Sequence, residues 1–135
     1  QAIGNHRGAI QEYEKSMQLG FKLPVLFYNM ANSYKELQQF NKAIELYTRT
    51  IAADEDFYDA YNNRGIVYYF LQNFDEAISD YNKAIELNAD FADAYNNRAV
   101  AYASQGKMEK ACEDWNKGAE LGNDPAVRSV EKYCK

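Results

Sequence analysis

The chain repeats itself every 34 residues. Aligned without a gap, 58–91 and 92–125 share 14 identities, and 24–57 shares 11 with the middle unit. A unit this short cannot enclose a core alone, so each must hide its apolar side against the next, which points to a stacked array. The run Asp59, Ala60, Tyr61, Asn62, Asn63, Arg64 returns intact at 93–98, Tyr68 returns as Tyr102, Ala77 as Ala111, and the Asn82-Lys83 pair as Asn116-Lys117. Residues 4–20 align with the second half of an earlier, incomplete unit.

Within a unit the apolar residues fall at helical spacing, as in Tyr61, Gly65, Tyr68 and then Ala77, Ile78, Tyr81, Ala84, Ile85. Each unit therefore reads as two helices. The break inside a unit is short and polar (Gln38-Gln39, Gln72-Asn73, Gly106-Lys107), and the break between units carries turn and capping residues (54–56, 88–90, 122–125). Asp124 before Pro125 reads as an N-cap with proline at the first helical position, opening a last helix. The organisation expected is an incomplete unit over 1–23, full units at 24–57, 58–91 and 92–123, and a capping helix over 124–135.

These residues resemble the tetratricopeptide repeat family, over nearly the whole chain. Counting each unit from Pro24, Tyr58 and Ala92, the aromatic at position 4 is Phe27, Tyr61 and Tyr95, and the small residue at 8 is Ala31, Gly65 and Ala99. The tyrosine at 11 is Tyr34, Tyr68 and Tyr102, the alanine at 20 is Ala43, Ala77 and Ala111, and the aromatic at 24 is Tyr47, Tyr81 and Trp115. The family's proline near position 32 is replaced by Glu55 and Ala89, and its leucine at 7 by Met30, Arg64 and Arg98. The resemblance implies an all-α, right-handed superhelical solenoid of antiparallel helix pairs whose first helices line a concave, peptide-holding face. The C-terminal run ACEDWNKGAELGN and the final YC are also similar to members of this family from Bacteroides-type bacteria.

The arginines at position 7 have a geometric consequence. In an antiparallel pair with its turn near position 15, position 7 faces position 23, which pairs Met30 with Leu46, Arg64 with Asp80 and Arg98 with Asp114. Two intra-repeat salt bridges are expected; the competing arrangement sends the arginines to solvent. A partly buried bridge specifies packing more than it stabilises, because desolvation cancels much of the attraction.

The groove positions implied by the family are 2, 5, 6, 9, 12 and 13, and asparagine dominates them. Candidate peptide-binding residues are Tyr28, Asn29, Asn32, Asp59, Asn62, Asn63, Tyr69, Asp93, Asn96 and Asn97. A side-chain amide both donates and accepts, so a row of them can hold a peptide backbone without demanding a sequence. Equally, the amides can bridge neighbouring repeats. Some family members clamp the C-terminal carboxylate of heat-shock chaperones with two asparagines and three cations. Here Asn32 and Asn63 match the asparagines, but Tyr28, Asp93 and Asn97 stand where cations belong, so that clamp is not expected. Asp59 and Asp93 point instead to a basic ligand, with Tyr28, Tyr69 and Phe70 either lining the groove or filling the core.

Other functions find little support. Fifteen basic against twenty acidic residues give a net charge of −5, so no basic field exists to draw nucleic acid, and no apolar run is long enough to cross a membrane. The one histidine, His6, occupies a packing position and offers no triad, while no phosphate loop or calcium-loop spacing occurs. Neither catalysis nor a cofactor nor a metal is expected. Cys112 and Cys134, 22 apart, fit no closely spaced redox or zinc motif. They read either as a disulfide tying the cap to the last unit, which implies a periplasmic or extracellular setting, or as two thiols compatible with a cytoplasmic one. Residues 7–19 read as a second helix without its first, so this end is expected to continue into a longer protein or to self-associate. The function expected is a scaffold binding a protein or peptide in the groove; the alternative is a structural spacer.

Overall fold

Residues 24–134 are described by the computed structural model. Seven helices and no strand occur among the described residues: α1 (Pro24–Glu36), α2 (Phe40–Ala53), α3 (Tyr58–Phe70), α4 (Phe74–Leu87), α5 (Ala92–Ser104), α6 (Met108–Glu120) and α7 (Asp124–Tyr133). Each helix packs on its neighbours in sequence, and α1 touches α3 as α3 touches α5. Hairpins α1–α2, α3–α4 and α5–α6 thus stack in series with α7 as the last layer, making an all-α solenoid. The expectations for 1–23, including the incomplete unit, His6 and self-association, lie outside the described residues.

The period is written into the core. Tyr47, Tyr81 and Trp115, 34 apart, are almost wholly buried, and each lies with or against the small residue of its own hairpin, Ala31, Gly65 or Ala99. At Gly65 the approach is closest: an added Cβ would lie 2.6 Å from Tyr81 Cε1 and 3.1 Å from the Ala77 carbonyl oxygen. Close packing of this kind explains why small and aromatic residues alternate along the period.

Helix ends follow the period too. Gln38, Gln72 and Gly106, at φ 60°, 64° and 79°, take the left-handed conformation that stops the first helix of each hairpin. The amide of each stop and the one after it donate back into the helix: Gln38 N–H to the Lys35 carbonyl and Gln39 N–H to that of Tyr34, both at 2.9 Å. Matching pairs recur after α3 and α5, so the within-hairpin turn is a Schellman motif each time. Between hairpins the chain extends at Asp54 and Asn88, whose side chains accept from Asp56 and Asp90 N–H at 3.1 and 3.2 Å.

The third boundary differs. After α6 the chain turns through Gly122 (φ 94°), and the helix cap is Asn123 rather than the expected Asp124: Asn123 Oδ1 accepts from Ala126 N–H at 2.8 Å. The cap therefore precedes the Asp-Pro pair by one residue, because its oxygen must reach the N3 amide. Ala126 is fully buried at the third position of α7, as Ala60 and Ala94 are in α3 and α5.

Candidate functional site

One stripe of each first helix carries four of the six groove positions, 2, 6, 9 and 13. At i, i+4, i+7 and i+11, α1 presents Val25, Asn29, Asn32 and Glu36, α3 presents Asp59, Asn63, Ile66 and Phe70, and α5 presents Asp93, Asn97, Val100 and Ser104. Across the three helices the face is graded, from an edge with two carboxylates through a band of amides to an aliphatic band and an edge where Phe70 stands 57% exposed.

Among the described residues no cation pairs with either carboxylate of this edge. Burial raises the Asp59 carboxyl above its ordinary range, and the like charge of Asp93 adds to the rise. Asp93 accepts from Asn123 Nδ2 at 2.9 Å. At the opposite edge Phe40 and Phe70 stack at 5.8 Å and, with Ile66, Lys35, Glu36 and Gln38, line an open cleft of about 520 Å³. Burial lowers the Lys35 ammonium below its usual range. Tyr69 is half-buried, packed on Phe70 and Phe74, with its hydroxyl 3.4 Å from Ser104 Oγ.

Between the edges the amides form a ladder. Asn63 Nδ2 donates to Asn32 Oδ1 and to Tyr28 Oη, both at 3.0 Å; Asn62 Nδ2 reaches Asn63 Oδ1 at 3.4 Å; Asn97 Nδ2 reaches Asn62 Oδ1 at 3.0 Å. Tyr47 also donates to Asn32 Oδ1. The ladder runs through all three hairpins, and Asn62 is only 5% exposed. Asn29 and Asn96 take no part in these bonds. Tyr28 stacks against Phe57 at 4.8 Å, and burial raises its phenol. Where a chaperone clamp needs cations, the groove holds a neutral tyrosine, a carboxylate and an amide.

Behind the groove the arginines join three helices. Arg64 grips Asp80 through Nε and Nη2 at 2.8 and 2.7 Å, and its Nη1 reaches Thr48 Oγ1 of the preceding hairpin at 3.1 Å. Arg98 repeats this with Asp114 at 2.7 and 2.6 Å and with Asn82 at 2.8 Å. Each guanidinium also lies over the ring three residues earlier, Tyr61 at 5.7 Å and Tyr95 at 5.6 Å. The roles of Thr48 and Asn82 as arginine partners are not evident from the sequence, although both are polar and 34 apart. Phe40 was also missed as a cleft residue. Cys112 and Cys134 form a disulfide with a Cα–Cα distance of 5.7 Å, tying α6 to the end of α7, where Tyr133 stacks on Trp115 at 5.6 Å.

No helix of the described residues is long and apolar enough to cross a membrane, and no group of His, Cys, Asp and Glu among them could hold a metal ion. Two family models described as tetratricopeptide repeat match residues 58–91 and 80–113, and one described as TPR repeat matches 31–72. No curated protein sequence matches the chain. Among solved structures, the second TPR domain of human RPAP3 in complex with the HSP70 peptide SGPTIEEVD is 30% identical, with a TM-score of 0.75, covering 83% of this chain and 98% of that one. YrrB, described as a TPR protein with an unusual peptide-binding site, is 25% identical at a TM-score of 0.84, covering 95% of this chain and 67% of that one. MamA is 26% identical at 0.81, covering 98% of this chain and 70% of that one.

Proposed function

The chain belongs to the tetratricopeptide repeat family, and from that membership we propose that it is a protein-interaction scaffold holding a peptide or protein segment in the groove of α1, α3 and α5. The observation that carries this is the graded face itself. A face that a purely structural array could leave polar throughout carries an exposed Phe70 and an open cleft walled on one side by Phe40, Ile66 and Phe70. Together they offer a partner an apolar contact beside the polar band. The RPAP3 domain and YrrB bind or are described as binding peptides in the same architecture. Recognition differs from the chaperone-tail type, because a carboxylate finds no charge-assisted donor at Tyr28, Asp93 or Asn97. Asp59 and Asp93 favour a basic partner. The Cys112–Cys134 disulfide supports a periplasmic or extracellular setting.

A structural spacer or self-association segment is the second reading, and the amide ladder favours it. Asn63 donates to Asn32 and Asn97 to Asn62 across repeats, and Asn62 to Asn63 within α3, so these amides tie the hairpins together. The two separate by photocrosslinking. A benzophenone side chain at Asn29, on the groove, captures a partner if the groove is the docking face, whereas one at Glu45 on α2 does not. Capture at Glu45 alone, or at neither position, rejects the groove.

A further inference from the structure

Asp59 and Phe70 stand at opposite ends of the α3 stripe. They are eleven residues apart, about 16 Å along the helix at 1.5 Å per residue. An extended chain covers that distance in about five residues. Resting on the groove reading above, we propose that the ligand is an extended segment crossing the groove along α3, with a lysine or arginine at Asp59 and, four or six positions away in either order so that both side chains face the groove, a large apolar side chain in the Phe40–Phe70 cleft.

Charge fixes which end goes where. Among the described residues neither Asp59 nor Asp93 has a cationic partner, so a cation placed between them relieves their mutual repulsion. At the cleft Lys35 and Glu36 stand side by side and offset one another, so the unpaired carboxylates at the other edge are the stronger draw for a cation. An aromatic or long aliphatic side chain in the cleft covers Phe70 and Ile66, and the band between the anchors is amide. Asn29 lies in that band, outside the ladder, where it can bond the backbone that an extended segment leaves unpaired.

Selection of a random twelve-residue peptide display library against the immobilised chain tests this. The expected result is enrichment of a basic and a large apolar residue four or six positions apart. Synthetic peptides of that pattern should lose about tenfold in affinity on Asp59→Asn and about tenfold on Phe70→Ser, the latter being the residue α5 carries at this position, Ser104. Circular dichroism melting of both variants should match the parent, since neither side chain is core. Enriched peptides of another pattern, or peptides indifferent to both substitutions, overturn the two-anchor proposal and leave the groove reading to the crosslinking result. Failure to enrich any peptide overturns both.

Discussion

Arg64 shows how one residue decides packing without adding much stability. Its guanidinium meets Asp80 in a two-pronged bond, yet burial pushes the Asp80 carboxyl above its ordinary range, against the opposing pull of Arg64. A carboxyl raised by folding contributes stability below its ordinary titration range and loses it as pH rises through its folded one, so desolvation of Asp80 offsets much of the attraction to Arg64. The first hairpin makes the same contact with Met30 and Leu46, both buried. Arg64→Ala should therefore cost about 3 kcal/mol in urea unfolding by stranding Asp80, while the double change Arg64→Met with Asp80→Leu should return to within about 1 kcal/mol of the parent. A double variant no better than the single would show that the pair stabilises in its own right. Gly65→Ala should cost about 1–3 kcal/mol, because the new methyl would collide with Tyr81 and the Ala77 carbonyl. At this scale the sequence was legible where position alone sets the neighbour, as for 7 opposite 23. It was not legible for the amides. Whether Asn62 faces a ligand or Asn97 depends on its rotamer and on the next repeat, which spacing does not encode.

Helix ends account for much of the regularity at the next scale. Gln38 and Gln72 adopt a left-handed conformation that Gly106 takes at the matching position without steric cost. Gln38→Gly and Gln72→Gly should each stabilise by about 0.5–1 kcal/mol, and Gly106→Gln should destabilise by a similar amount, read from urea midpoints at constant slope. Glutamine gives no hint of this by itself; the alignment of Gln38 and Gln72 with Gly106 is the only trace in the sequence. Helix starts at 24, 58 and 92 and at 40, 74 and 108 were legible because each boundary is repeated. The last boundary broke the period: α6 is one residue shorter than α4, and Gly122 brings α7 in early. The disulfide then closes a short loop over that cap. Reduction should cost about 3 kcal/mol, and deuterium exchange should quicken in α7 while α1 to α4 stay protected. Unchanged exchange in α7 would mean that Trp115–Tyr133 stacking and Ala126 hold the cap unaided.

For the molecule as a whole, stacking in series produces both the stability and the surface. Each hairpin meets only its neighbours, so the first helices line up and their stripes merge into one face. That much followed from a 34-residue period. The grading of the face did not, because it needs the exposure of Phe70 and the opening beside Phe40, which are set by how consecutive hairpins are turned relative to one another. On the proposed reading, partners dock on the merged stripes of α1, α3 and α5. Its most direct test is amide chemical-shift mapping of the isotope-labelled chain titrated with a display-selected peptide. Shifts should concentrate at Asn29, Asn63, Ile66, Phe70 and Asp93 while Glu45, Lys83 and Asn116 on the second helices stay unmoved. Shifts centred on α2, α4 and α6, with the groove silent, would contradict it.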